Sequence, residues 1–550
     1  MVYDVCIIGS GAGASPVAYE LSKAGFSVVV LEKGEFYKED DFSKDELAVS
    51  RRKMFVPELK DEYHIVIQKE PNGETKEYKG TWSFWNGSLV GGSSNLMSGF
   101  FHRLKPNDFR LKSVYGEIDG ANVIDWPISY DDLEPYYTKV EEVVGVSGKV
   151  VKHKFSEPRS KMHFPYEKLE ENEATKWFDK AALDLGLTPL PTPRAIISRN
   201  LLDRNACYYS HFCGGFPCAS RAKGSGRVLL QQCPAKIIPK AFVYKLVSDK
   251  FSVKEALYYD EFKKSHSIKA KIFVVAAQAI ETSRLLLNSK NKHFPNGLAN
   301  NSNQVGKNLI FSAGGAGSGT FYLKDLSKFD GDALMSRGLF FNRFIQNWYE
   351  FSQNGKKYKG GTIDFLFEHP NIIPNIIEQF YDDDGNLLYG DKLMAKIKAN
   401  IYASRKLTFE VFNDWLPTNT TFVSVSDTYK DKYGVPVALI NLEAHKHDLK
   451  VGEFLSKQAV KILEKMGAKD VSYNASYDPP PNLVAGGARF GDDPSTSVLD
   501  KNCKAHELTN LYVSDASFMP TGGSVPYTWS IYANSFRVAD IIKKRLLNLV

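Results

Sequence analysis

A run of six small residues between two apolar stretches, all within the first 32 positions, constrains this chain more than anything that follows. Val5 to Ile8 has the continuous hydrophobicity of a strand buried on both faces. It runs into Gly9-Ser10-Gly11-Ala12-Gly13-Ala14, and Val17, Ala18, Leu21 and Ala24 then recur at helical spacing, giving the next element one apolar face. Gly25 punctuates that helix, and Val28-Val29-Val30-Leu31 is a second strand that closes on Glu32. Strand, glycine turn, helix, strand and terminal acid within about 30 residues is the unit that binds a dinucleotide.

Each part has a physical task. Gly9 permits the tight turn, and Gly11 leaves the backbone bare so that a pyrophosphate can approach. The helix N-terminus behind them offers free N–H groups and the positive end of its dipole. Ala14 stands where a third glycine is usual, and its methyl group still lets helix and strand pack closely. Glu32 lies at the right separation to accept hydrogen bonds from an adenosine ribose. NAD and FAD share this pattern, and the first 34 residues do not choose between them.

The 550 residues exceed one simple core and suit two closely joined domains. The 70 basic and 64 acidic residues are interspersed, so the net charge of +6 reads as a solvated surface and offers nucleic acid no basic block. No run approaches the roughly 18–20 apolar residues that span a bilayer. The first strand begins almost at Met1, which leaves no room for a signal peptide. The chain therefore reads as cytoplasmic, reaching a membrane or the exterior only through a partner.

Five further segments follow in a fixed order. Gly91-Gly92-Ser93-Ser94-Asn95 is a second glycine turn, with Arg103 and Asp108-Phe109 downstream. Trp126-Pro127-Ile128-Ser129-Tyr130 leads into Asp132-Leu133-Glu134-Pro135-Tyr136-Tyr137. Next come the run from Ala276-Ala277-Gln278 to Leu287, then Val305-Gly306-Lys307-Asn308-Leu309, and finally Asn510-Leu511-Tyr512-Val513-Ser514-Asp515-Ala516-Ser517. With the first turn, this ordered set resembles the glucose–methanol–choline (GMC) oxidoreductases, in their bacterial or archaeal sugar or polyol dehydrogenase-like branch. The resemblance implies tightly bound FAD, with cofactor contacts at Gly9, Gly11, Ala14, Glu32, Gly91, Gly92, Ser93, Asn95, Ala277, Asp515 and Ala516. Some sugar-oxidising relatives attach the flavin through a His near the second turn. Here Asn95, Leu96 and Met97 occupy that neighbourhood, so non-covalent FAD is expected.

The implied fold is α/β: a discontinuous Rossmann-type FAD domain (1–310 and 476–550) and a sheet-plus-helices substrate domain (311–475). Phe409 to Phe412, Thr421 to Val425 and Val435 to Ile440 are strand-like, and Phe454, Leu455, Ala459, Ile462, Leu463 and Met466 share a helical face. The family places such a sheet as a roof over the flavin. Cys207, Cys213 and Cys218 fall in an insert near 205–225. Inserts of this kind occur in dehydrogenases that pass electrons to a small subunit or other electron-transfer partner. The three thiols can ligate an iron–sulfur cluster, or they can pack as small buried hydrophobes.

The catalytic frame then departs from the family pattern. Gly486, Arg489 and Gly491 align, followed by Asp493-Pro494 and Thr496-Ser497-Val498. The usual catalytic His falls on Leu483, however, and its His or Asn partner falls on Pro526. Neither side chain can move a proton, although alcohol oxidation needs a base for the hydroxyl. Three readings stay open at this point. The first is a dehydrogenase moving hydride from a CH–OH donor to flavin N5, its base supplied by Tyr527, Tyr532, His102, His445, His447 or water, with Arg489 as a further candidate. The second is other chemistry, such as a lyase. The third is a flavin subunit without turnover.

Overall fold

The first strand is paired in parallel on both sides, and that decides the larger half of the molecule. In a computed structural model, β1 (Val2–Ile8) lies between β2 (Val28–Leu31) and the long strand Ser265–Val275, which leaves Val5, Cys6 and Ile7 without solvent contact. The helix α1 (Ser15–Lys23) joins β1 to β2, with Pro16 in its first turn, where the missing N–H costs nothing. The structure describes residues 1–550 apart from 43–44, 47–53, 58, 81–86, 211, 313, 337–338, 368–371, 383, 476, 478–482 and 549–550. Lys236–Ile238 extends the sheet beyond β2. An antiparallel hairpin, Phe242–Ser248 with Val253–Tyr259, extends it at the other edge. Leu511–Val513 returns from the far end of the chain to pair in parallel with the end of Ser265–Val275.

A second, antiparallel sheet of six strands forms the roof, in the order Lys469–Asn474, Gly315–Tyr322, Ser404–Asn413, Gly361–Phe367, Arg343–Ile345 and Leu190–Pro191. Its central strand shows why two environments are needed. Leu407, Phe409 and Val411 join an apolar cluster with Val451, Leu455, Ala459, Ile462 and Leu463 of the helix Lys446–Lys465, while Thr408, Glu410 and Phe412 line a cavity on the other face. The neighbouring strand Gly315–Tyr322 is rich in glycine because the packing leaves no volume there. A Cβ on Gly317 would lie 2.3 Å from the Ser472 carbonyl oxygen and 2.4 Å from Phe409 Cζ.

The expected strands near 421–425 and 435–440 form, as Phe422–Lys430 and Pro436–Leu442, but they do not join the roof. They make a hairpin whose inner strand pairs in parallel with Ile65–Lys69, which in turn pairs with Thr75–Lys79. The pairing is nonlocal, and no turn signal in the sequence announces it. Among the described residues, no helix is long and apolar enough to cross a membrane. The tight contact at Gly317 gives a direct check. Gly317→Ala should lower stability by about 1–3 kcal/mol through overpacking, seen as a lower unfolding midpoint in urea, and an unchanged midpoint would show the roof to be looser than described.

Candidate active site

A single cavity of about 1070 Å³ runs from the first glycine turn to the inner face of the roof. The glycines at its closed end do two different jobs. A Cβ on Gly9 (φ +97°) would lie 2.3 Å from the Ala276 carbonyl oxygen, and one on Gly13 would lie 2.6 Å from Asp515 Cα, so these two hold segments of chain together. Gly11 meets nothing closer than Gly92 Cα at 4.0 Å and so leaves open a cradle of the kind a pyrophosphate occupies. Gly92 (φ +57°) faces it from the second turn. The two turns are also wired together. The Gly91 N–H donates to Ser10 Oγ at 2.9 Å, and Ser10 Oγ–H donates to Glu32, which also accepts the Gly34 N–H at 2.8 Å. Burial holds the Glu32 carboxyl above its ordinary range despite these donors.

Asp515 is equally committed. Its carboxylate accepts the Gln278 N–H at 3.0 Å, the Thr282 hydroxyl at 2.5 Å, and both the N–H and hydroxyl of Ser517. It ties the closing segment to the start of the helix Ala279–Asn288. Gln278 caps that helix with its own side chain and does so at φ +82°, a left-handed conformation that a non-glycine residue adopts only under constraint. Of the residues the sequence singled out for a cofactor, Gly9, Gly11, Glu32, Gly92, Ser93, Ala277, Asp515 and Ala516 line the cavity. Ala14, Gly91 and Asn95 stand one layer behind it. Ala14 is in the core, Gly91 adopts the left-handed turn conformation, and Asn95 Nδ2 donates to the carbonyls of Val90 and Gly92. Phe242, Val243, Glu281 and Arg284 also line the cavity, and nothing in their sequence spacing marks them for a site. His64 Nε2 lies 2.8 Å from Glu281, and Arg284 bridges Glu281 and Asp431 at 3.1 and 2.6 Å.

At the roof end, Leu483 and Pro526 both line the cavity, so the two substituted positions are where a reacting group would sit. Tyr527 lines it too, but burial and the Asp414 carboxylate push its phenol far above the usual range, which makes it a poor base at neutral pH. The other proton carriers considered from the sequence are placed elsewhere. Arg489 is corrected to a structural role, since it lies away from the cavity and its guanidinium donates to the carbonyls of Thr496 and Asn122 at 2.9 and 2.8 Å. Tyr532 donates to the Gly224 carbonyl at 3.2 Å within the core. His102 is buried against Asp364 at 2.9 Å, and His445 caps the helix Lys446–Lys465, beside His447, which burial drives down to about 4. None of these three histidines lines the cavity.

The roof itself is polar. One row across its strands reads Asp364, Glu410, Ala316, Asn474, and the next reads Leu366, Thr408, Ser318, Ser472. All of these but Asp364 line the cavity.

The cysteine insert reaches the same cavity from the side, through Gly214 and Gly215. Lys223 Nζ donates to the carbonyls of Cys213, Phe216 and Asn95 at 2.6, 2.8 and 3.1 Å, which fastens the insert to the second glycine turn. Cys207, Cys213 and Cys218 pack against the cluster of Tyr166, Ile197 and Phe340. Burial pushes Cys207 up to about 12. It acts on Cys218 as well, but Lys223 and nearby donors outweigh it and hold that thiol below its ordinary value. Among the described residues, no three His, Cys, Asp or Glu side chains converge to hold a metal ion, so the thiols as placed do not form a cluster site.

Two models of the family described as GMC oxidoreductase match the chain, over residues 65–312 and 417–535. The fructose dehydrogenase large subunit of Gluconobacter japonicus is 27% identical across 98% of this chain and 97% of its own length. The 2-methyl-1,2-propanediol dehydrogenase of Mycolicibacterium austroafricanum is 28% identical across 100% and 96%. Among solved structures, a formate oxidase variant of Aspergillus oryzae RIB40, studied for FAD modification, superposes with a TM-score of 0.66 at 15% identity, covering 100% of this chain and 99% of that one. The pyridoxine 4-oxidase from Mesorbium loti does so with a TM-score of 0.58 at 17% identity, covering 98% and 99%. FAD is the dinucleotide of this family, and the bare backbone at Gly11, on the cavity wall with Gly92 against it, fits the approach of its pyrophosphate. Gly11→Val should therefore leave the folded protein intact by circular dichroism while abolishing the yellow absorbance of the purified protein. Full retention of flavin would place the pyrophosphate elsewhere.

Proposed function

The chain belongs to the GMC oxidoreductase family, and on that premise we propose an FAD-dependent dehydrogenase acting on a CH–OH group of a sugar, polyol or related alcohol. The observation that carries this reading is the continuity of one cavity from the dinucleotide cradle to a roof of hydroxyl and amide side chains. Bound FAD supplies an acceptor for a hydride. In this proposal Gly11, Gly92 and Ser93 hold the pyrophosphate, Glu32 binds the adenosine ribose, and Ala277, Asp515 and Ala516 form the wall along the flavin. The flavin is held without a covalent link, because Asn95, Leu96 and Met97 offer no His beside the second turn. Thr408, Ser318, Ser472 and Asn474 orient a polyhydroxylated substrate, since scattered small donors and acceptors suit many hydroxyls better than one apolar chain.

A dehydrogenase needs an outlet for its electrons. The cysteine insert forms part of the cavity wall, which supports docking of a small subunit or other electron carrier there, and the Gluconobacter relative is itself named a large subunit. The apolar side chains at Leu483 and Pro526 favour a second reading, a GMC-fold flavoprotein with other chemistry or without turnover.

Anaerobic mixing with fructose, gluconate, 2-methyl-1,2-propanediol and a panel of other sugars and polyols separates the two. At least one alcohol should bleach the visible flavin band. Bleaching by dithionite alone would favour the second reading. The double variant Leu483→His, Pro526→Asn should bleach faster than the wild type with the same alcohol, since it returns a proton acceptor to the cavity wall.

A further inference from the structure

The proposed oxidation leaves the hydroxyl proton without a recipient, because Leu483 and Pro526 cannot take it. The roof presents a carboxylate to the same cavity. Glu410 lies on the central roof strand Ser404–Asn413, two residues from Phe412, and both line the cavity. Just past that strand, the Asp414 carboxylate accepts from Ser524 Oγ at 3.5 Å, so the chain here abuts the loop that carries Pro526. Phe412 is the last cavity-lining residue of the strand before this contact, and Glu410 is about 7 Å back along the strand from it.

What surrounds Glu410 leaves it free to act. Its cross-strand neighbour Asp364 is occupied, accepting from Thr192 Oγ1 at 3.1 Å and lying 2.9 Å from His102 Nε2. On its other side stands Ala316, which has no polar group. The cation that acts on it, Arg194, turns its Nε to Asn342 Oδ1 and its Nη1 to the Ser98 carbonyl, both at 2.8 Å, and makes no hydrogen bond to Glu410. No hydrogen bond or ion pair engages the Glu410 carboxyl among the described residues. Glu378, on the helix Ile372–Glu378, also lines the cavity.

We propose that Glu410 accepts the substrate's hydroxyl proton, doing the work of the catalytic pair that this chain lacks. The assignment rests on the dehydrogenase reading above. In the step, the O–H bond breaks and its proton passes to a Glu410 oxygen. The C–H electron pair leaves as hydride to the flavin, the oxidant, and a carbonyl product remains. Burial raises the Glu410 carboxyl, Asp364 raises it further, Arg194 offsets part of this, and the group settles at about 7. Only its ionised form can accept a proton, so flavin reduction should speed up as pH rises through about 7.

The test uses Glu410→Gln in the flavin-loaded protein, reduced anaerobically by the alcohol that bleaches wild type fastest. Reduction should slow by about 10²–10⁴-fold and lose its dependence on pH near neutrality. Glu410→Asp keeps the acid but withdraws it by one methylene, and it should recover part of the rate. A second readout needs no turnover. Infrared difference spectra of flavin-free protein should show a protonated carboxyl band that disappears as pH rises through neutrality, and Glu410→Gln should lack it. Wild-type rates in Glu410→Gln, or a pH dependence that survives the substitution, would overturn the assignment while leaving the dehydrogenase intact. If no alcohol bleaches the wild type, the dehydrogenase reading fails and the base role falls with it, whatever the infrared titration shows.

Discussion

The structure depends on three stretches of backbone that touch at glycines. Gly9 lies against Ala276 and Gly13 against Asp515, so the first turn, the middle of the chain and its closing segment meet where no side chain would fit. Contacts this close cost conformational entropy and gain little apolar burial of their own. They are held by the parallel sheet around β1, which fixes all three segments through Ser265–Val275 and Leu511–Val513. The Ser10 hydroxyl then links the second turn to Glu32, so both halves of the cradle share one hydrogen-bond chain. Polar roof, cysteine insert and closing loop are all arranged around that junction.

How much of this the sequence revealed follows from how local each signal is. The first strand–turn–helix–strand unit was legible because its spacing and its glycines are set within 32 residues. The long helix with Leu455, Ala459, Ile462 and Leu463 was legible for the same reason, since its apolar face repeats at helical period. The roof was only half legible. Gly315–Tyr322 has the composition of a loop and forms a strand because Phe409 fills the space its glycines leave, a fact carried by a residue some ninety positions away. The hairpin Phe422–Lys430 with Pro436–Leu442 was read as strands, but its parallel partner Ile65–Lys69 lies more than 350 residues earlier and no pattern connects them.

At the site, spacing found the two altered positions, and the structure puts both on the cavity wall. Spacing could not find Glu410, which in sequence is one acid among 64 acidic residues. Its chemistry comes from being set beside Asp364 by strand register and facing a cavity that only the folded chain encloses. The candidates that sequence did offer failed for a common reason. Arg489, Tyr532 and His102 each already engage a partner within the protein and lie off the cavity wall. A side chain already satisfied has little left to give a substrate.

Lys223 grips carbonyls of the cysteine insert and of Asn95 with one ammonium group, and the Gly215 N–H adds a bond to Leu96 at 2.7 Å. The insert is thus bolted to the second glycine turn at two points rather than resting beside it. A force applied to the insert from outside is felt at the turn within a single side chain's length. Whatever settles on that surface meets the second glycine turn through those bonds.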